Sequence, residues 1–106
     1  MATFMVQFKY TEKGMQGLVK DGGTKRREAT RDLVEALGGK LVAYYFGFGE
    51  YDGLAIIEGL DNAETVAGNL TAAVTGTVQT KTTVLVTPEE MDQATKKMVP
   101  FRAPGE

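Results

Sequence analysis

The sequence predicts an α+β fold in which strands and helices follow one another within a single domain of 106 residues. Near the N-terminus, apolar residues occupy every second position, which is the period of a strand with one buried face. In the middle of the chain they recur every three or four positions, as in an amphipathic helix. Glycine pairs and capping residues separate these segments, and a content of 42% apolar and 25% charged residues is typical of a globular protein.

The first part of the chain predicts one strand and two helices. Residues 3–10 alternate between an apolar and a mixed face, so we expect the first strand there. Thr11 can cap a short helix, which Gly22-Gly23 interrupts. From residue 24 to residue 37 the apolar spacing predicts a longer helix, which Gly38-Gly39 ends.

The middle of the chain predicts a β-hairpin and a third helix. Residues 40–48 and 53–58 are rich in β-branched and aromatic residues, and the residues between them form the turn. Asp61 caps the third helix, Glu64 completes a capping box, and Gly76 ends the helix. We expect its buried stripe to contain Ala63, Val66, Ala67, Leu70, Ala73 and Val74.

The C-terminal part predicts a strand, a helix and a tail. Residues 77–87 are dominated by Thr and Val and predict the last strand. Thr87-Pro88-Glu89-Glu90 combines a capping hydroxyl, a proline and an acid, and so predicts a helix that continues to about Val99. We therefore expect one domain over residues 1–99, and a flexible or partner-contacting tail over residues 100–106, where two prolines prevent a helix.

This order of elements is the ferredoxin-like βαββαβ arrangement followed by a C-terminal helix. It predicts a four-stranded antiparallel sheet of order 4-1-3-2, with the helices on one face and the other face open. Open apolar faces of this kind are typical of interfaces, and two such sheets can pack face to face about a two-fold axis. On the open face we expect either Tyr45, or Tyr44 with Phe46 and Phe48, beside Met5, Gln7 and Lys9.

The turn Gly49-Glu50-Tyr51-Asp52 allows two interpretations. It can be a hairpin connection, in which Gly49 provides a positive φ and Asp52 accepts hydrogen bonds from backbone N–H groups. It can also be a site, in which Tyr51 and Asp52 contact a ligand or act as a phenol–carboxylate acid–base pair. The topology places this turn at the edge of the sheet where strand 1 ends and the first helix begins.

Lysine and tyrosine side chains near that edge are the other candidates. Lys9 can reach solvent or pair with Asp52, and if a dimer buried it, it could serve as a base or an anion anchor. Tyr10, Tyr44 and Tyr45 suit either a core or interface position or the wall of an aromatic-substrate pocket. The candidate ligand-binding residues are Gln7, Lys9, Tyr10, Tyr45, Tyr51 and Asp52, and the candidate catalytic residues among them are Asp52, Tyr51 and Lys9.

The composition argues against several classes of protein. A formal net charge of -2 offers no broad positive field for nucleic acid. The chain has no cysteine and no histidine, so we expect no metal and no built-in cofactor, and the common histidine-dependent triads are excluded. There is no signal-peptide pattern or membrane-length apolar run, so we expect a cytoplasmic protein without a membrane partner.

An ordered set of short motifs resembles the GYD-domain family of small bacterial proteins. The set comprises Tyr10-Thr11 with Gly14, Leu37-Gly38-Gly39, Gly49-Glu50-Tyr51-Asp52, Ala55-Ile56-Ile57 and the late Thr-rich strand. The resemblance covers nearly the whole chain, and it implies a homodimer of the dimeric α+β barrel class. Relatives within that superfamily include monooxygenases, isomerases, stress-induced proteins and haem-dependent enzymes, so the resemblance does not select a reaction.

We therefore expect a homodimeric α+β barrel protein that binds a small apolar or aromatic metabolite between sheet and helices. One alternative is a structural or assembly module that forms higher oligomers. Another is a cofactor-independent monooxygenase or isomerase, with Asp52 or Lys9 as base and Tyr51 or Tyr45 as hydrogen-bond donor. Whether the protein is an enzyme stays open.

Overall fold

The computed structural model describes residues 2–106 and contains four strands and four helices within them. None of these helices is both long and apolar enough to cross a membrane. The elements are β1 (Ala2–Tyr10), α1 (Glu12–Asp21), α2 (Gly23–Ala36), β2 (Lys40–Phe46), β3 (Gly53–Leu60), α3 (Asn62–Ala73), β4 (Val78–Leu85) and α4 (Pro88–Thr95).

All three strand pairings are antiparallel, and the order across the sheet is β2-β3-β1-β4. This is the predicted order 4-1-3-2 counted from the other edge, so the ferredoxin-like α+β prediction is confirmed. The register of β2 shifts between Leu41 and Ala43, and both Leu41 and Tyr44 consequently lie on the helix side of the sheet. Tyr45 lies on the open face, opposite Leu54, which resolves the choice between the two tyrosines.

The core lies between the sheet and the helices. Strand β1 alternates as the sequence predicts, and Phe4, Val6 and Phe8 are buried. The central strand β3 contributes Ala55, Ile57 and Leu60, and the remaining buried apolar residues are Leu41 and Val34. Most of this core therefore comes from β1 and β3, the two strands with neighbours on both sides.

The helix boundaries follow the local signals. Thr11 accepts a hydrogen bond from the Gly14 N–H at the start of α1, and the α3 capping box between Asp61 and Glu64 has both of its hydrogen bonds. Gly38, with a φ of 93°, ends α2 in the left-handed conformation that favours glycine. These boundaries were predictable because each depends on residues within four positions of one another.

The predicted buried stripe of α3 is wrong. Val66, Leu70 and Val74 are 54%, 59% and 82% exposed, whereas Thr65 is the residue of α3 that is buried. The helix turns its small and polar side, including Gly68, Asn69 and Ala72, towards the sheet. The larger apolar side chains of α3 therefore face outward, the reverse of the usual amphipathic arrangement.

The C-terminal part is shorter in structure than predicted and extends from the body. Strands β2 and β4 end at Phe46 and Leu85, and α4 ends at Thr95 rather than near Val99. Pro100 disfavours a helical conformation at Val99, so the helix cannot reach its predicted end. Every residue from 86 to 102 is exposed, and we call residues 86–106 the C-terminal arm.

Candidate functional site

A cavity of about 530 Å³ lies on the helix side of the sheet, between α2 and α3. Its floor consists of β1 and β3 residues, including Val6, Ala55 and Ile57. A volume of this size is within the range of small-molecule sites in proteins. The cavity is thus large enough for a ligand with up to three aromatic rings.

Small residues keep this cavity open. Gly14 and Gly17 of α1, Ala29 of α2, and Gly68 and Ala72 of α3 all line it. At one end α3 packs closely against the end of α2. A Cβ added to Gly68 of α3 would lie 3.2 Å from Cδ1 of Leu37, the residue that follows α2. The space therefore results from the choice of side chains on three helices as well as from the separation of α2 and α3.

Aromatic rings form one end of the cavity. Phe8 stacks on Tyr44 with ring centroids 5.3 Å apart, and its edge contact with Tyr10 has a centroid separation of 5.5 Å. All three of these residues line the cavity, and Phe46 packs behind them against Phe8 and Tyr44. The cluster presents aromatic surfaces, which favour stacked or edge-to-face contact with another ring.

Two phenols, a threonine hydroxyl and a guanidinium make this end polar. Burial raises the pKa of the Tyr44 phenol, and the neighbouring Tyr10 raises it further, whereas the Thr30 hydroxyl and Arg26 act in the opposite direction. Tyr44 therefore stays protonated at neutral pH and can donate a hydrogen bond. The charge of Arg26 is partly balanced by Asp21, whose carboxylate lies 3.8 Å from the guanidinium.

The Gly49-Glu50-Tyr51-Asp52 turn is tied to this end of the cavity through Tyr10. The Asp52 carboxylate accepts a hydrogen bond of 2.7 Å from the Tyr10 N–H, and the Asp52 N–H donates to the Phe8 carbonyl at 2.8 Å. Asp52 thus extends the pairing of β3 with β1 by one residue before the start of β3 at Gly53. Gly49, with a φ of 138°, adopts a backbone conformation that other residues rarely accept.

The structure separates the candidate site residues into two groups. Tyr10 lines the cavity, and Asp52 contacts its backbone. Gln7, Lys9 and Tyr45 lie on the opposite, open face of the sheet, where the Lys9 ammonium donates to the Glu50 carbonyl at 3.4 Å. Tyr51 is half-buried in the turn. The six residues therefore do not converge on one point, and their roles in binding or catalysis stay predictions.

Sequence reasoning did not assign the polar residues that line the cavity from the helices. These include Arg26 and Thr30 on α2 and Asn69 on α3, whose amide donates to the Thr82 hydroxyl at 2.9 Å. Asn69 is unusual on the inner side of a helix, and that could have signalled a polar space beneath it. In residues 2–106, no three histidine, cysteine or acidic side chains lie close enough together to hold a metal ion.

The fold and the cavity together define a ferredoxin-like α+β protein with an amphipathic space between sheet and helices. The family model described as the GYD domain matches residues 4–95. The chain therefore belongs to the GYD domain family. No curated protein and no solved structure matches the sequence significantly.

Proposed function

We propose that this protein binds a small apolar or aromatic metabolite in the cavity between α2, α3 and the sheet. The observation that carries the proposal is the combination of size and lining: about 530 Å³ of mostly apolar space, with the Tyr10 and Tyr44 hydroxyls at the aromatic end and threonine hydroxyls elsewhere along its wall. Small-molecule sites have this character, because apolar walls provide affinity and a few polar groups fix orientation.

The orientation of α3 supports the proposal. A helix that only stabilised the fold would place Leu70 and Val66 on the sheet, where they would fill the space. Instead, Gly68 and Ala72 face inward. An empty apolar cavity lowers the stability of the fold. Because α3 has larger apolar residues that could fill this space but turns them outward, the cavity is an advantage only if a ligand occupies it.

The aromatic end favours a ligand with a ring and one polar substituent. Phe8 and Tyr44 offer ring contacts, and the protonated Tyr44 hydroxyl can donate to an oxygen of the ligand. The Asp52 carboxylate already accepts the Tyr10 N–H, which favours a positioning role for this turn over a role as a catalytic base. Binding without turnover is accordingly the simpler proposal.

The test is a binding measurement with N-phenyl-1-naphthylamine, a neutral fluorophore whose emission rises in apolar surroundings. Replacing Ala72 with tryptophan fills the cavity, and we expect at least a tenfold loss of affinity, about 1.4 kcal/mol. The Ala73→Trp variant is the matched control, because Ala73 is the next residue of α3 and is exposed. The chain has no tryptophan of its own, so both variants are compared on the same background.

Equal affinities of the two tryptophan variants would contradict binding in this cavity. Native mass spectrometry of the freshly purified protein provides the natural ligand directly, as a discrete additional mass on each chain. We expect that mass to be reduced or lost in the Ala72→Trp variant and kept in the Ala73→Trp variant.

A further inference from the structure

The wall of the cavity contains one pair of opposite charges. Of the residues that line the cavity in the described part of the chain, Arg26 is the one with a positive charge and Asp21 the one with a negative charge. Asp21 ends α1, Arg26 lies in the first turn of α2, and Gly22 separates the two helices. The side chains of Arg26 and Asp21 are 36% and 32% exposed, so the pair lies at the rim of the cavity, where a ligand can reach it from solvent.

Arg26 lies close to the aromatic end of the cavity. A Cβ added to Gly23 would lie 2.9 Å from the ring of Phe46, so the start of α2 packs directly on the aromatic cluster. Burial raises the pKa of the Tyr44 phenol and the positive charge of Arg26 acts against this, which places the guanidinium within electrostatic range of that ring. A ligand whose ring stacks on Phe8 and Tyr44 can therefore direct a substituent towards Arg26.

The guanidinium of Arg26 differs from those of its neighbours on α2 in its hydrogen bonds. The Glu28 carboxylate accepts hydrogen bonds from both Arg27 and Arg31. The Asp21 carboxylate lies 3.8 Å from the Arg26 guanidinium, which is longer than the roughly 2.7–2.9 Å of a charge-assisted hydrogen bond. A guanidinium has N–H donors and no acceptor. Within residues 2–106, the donors of Arg26 are therefore left for another group.

The local charge decides between an anionic and a cationic ligand, since Asp21 could in principle hold an ammonium group. Residues 20–32 contain five basic and three acidic side chains, although the whole chain has a net charge of -2. The rim is therefore locally positive, which attracts an anion and repels a cation. A long ion pair at this exposure contributes little to stability, so a ligand carboxylate can join Arg26 without a large cost.

We propose that the ligand of the cavity is an aromatic acid, whose ring packs on Phe8 and Tyr44 and whose carboxylate binds the Arg26 guanidinium. This inference rests on the proposed function, and adds to it the charge of the ligand and the residue that recognises that charge. A carboxylate suits a guanidinium because its two oxygens can accept two parallel N–H groups. The Tyr44 hydroxyl, which stays protonated at neutral pH, is a further donor to the acid.

The test compares 1-naphthoate with 1-naphthamide, two compounds of nearly the same shape of which only the first is charged. Calorimetry at neutral pH measures the affinity of each. We expect naphthoate to bind the unchanged protein at least tenfold more tightly than naphthamide. Arg26→Gln should reduce this ratio to less than twofold, by weakening the binding of naphthoate alone. Arg27→Gln is the matched control and should keep the ratio, because Arg27 is the next residue, is exposed and does not line the cavity.

The neutral probe N-phenyl-1-naphthylamine distinguishes failure of this inference from failure of the proposed function. Its affinity should stay within twofold in Arg26→Gln, which also shows that this variant is folded, and should fall in Ala72→Trp. If the probe behaves in this way but naphthoate has no advantage over naphthamide, or keeps its advantage in Arg26→Gln, the acid proposal is overturned while the proposed function stands. If the probe has equal affinity for Ala72→Trp and Ala73→Trp, the proposed function fails and this inference fails with it.

A cationic analogue tests the sign of the charge. The compound 1-naphthylmethylamine has the same ring system and an ammonium group at neutral pH. We expect it to bind more weakly than naphthamide, because the rim formed by residues 20–32 is positive. Tighter binding of the amine than of naphthoate would assign the anchor to Asp21 and overturn the proposal.

Discussion

Gly14 is the residue through which α1 contacts the start of β4. A Cβ added there would lie 1.9 Å from the Thr77 carbonyl oxygen, which also accepts the Thr11 N–H. We expect Gly14→Ala to lower the free energy of unfolding by about 2–3 kcal/mol, because the backbone has to shift. Gly17, on the same helix, has open space around its Cβ position, and Gly17→Ala is expected to stabilise by up to about 1 kcal/mol. Urea unfolding of both variants gives the comparison, and equal effects would contradict the proposed contact.

Asp52 is the residue that connects the turn to the aromatic end of the cavity. Its carboxylate accepts the Tyr10 N–H at 2.7 Å, so Asp52→Ala leaves that backbone group without its acceptor. We expect Asp52→Ala to destabilise by about 1.5–3 kcal/mol. Asp52→Asn keeps an oxygen at the same place and should retain most of the stability. If both variants unfold like the unchanged protein while binding is lost, the carboxylate acts on the ligand and not on the fold.

The raised pKa of the Tyr44 phenol predicts a loss of folding stability in alkali. Burial raises its pKa in the folded state, so an unfolded chain releases the proton first, near the ordinary tyrosine value of about 10. The stabilising contribution is complete below that pH and declines as the pH rises towards the folded-state value, by up to about 1.4 kcal/mol per pH unit. Tyr44→Phe removes this contribution. Between pH 9 and about pH 11, the free energy of unfolding should therefore fall less in Tyr44→Phe than in the unchanged protein.

At the scale of elements, α3 separates what could be predicted from the sequence from what could not. Its start was predictable, because the Asp61–Glu64 capping box depends on four consecutive residues. Its orientation was not, because periodicity shows that a helix has an apolar side but not that this side faces the core. The strand order was predictable for a different reason, because few topologies connect these elements without crossing connections.

The outward side of α3 leads to a prediction for stability. Leu70 is 59% exposed and Ile57 of β3 is 8% exposed. We expect Leu70→Ala to change the free energy of unfolding by less than about 0.5 kcal/mol, and Ile57→Ala to lower it by about 2–5 kcal/mol. Urea unfolding distinguishes the two cases. A cost of several kcal/mol at Leu70 would mean that α3 is turned with its apolar side towards the sheet.

At the scale of the whole molecule, the cavity could not be predicted because it belongs to no single element. Gly14, Ala29, Ala55 and Ala72 line it from three helices and a strand, and no local pattern brings them together. The sequence indicated a binding space between sheet and helices but placed most candidate residues near the turn and on the open face. Tyr10 connects the turn with the cavity, because its N–H donates to Asp52 of the turn and its side chain lines the aromatic end of the cavity.

The cavity also predicts that stability and binding oppose each other. Ala72 lines the cavity, so there is room for additional methyl groups at this position. We expect Ala72→Leu to raise the free energy of unfolding by about 1–2 kcal/mol, because it buries apolar surface without displacing other side chains. The same change should weaken binding of N-phenyl-1-naphthylamine, whereas Ala73→Leu, on the exposed side, should alter neither property. If Ala72→Leu raised stability but left binding undiminished, the ligand would bind elsewhere. If it lowered stability, this space would already be filled. Higher stability together with weaker binding is the result expected of a cavity that the fold keeps open for a ligand.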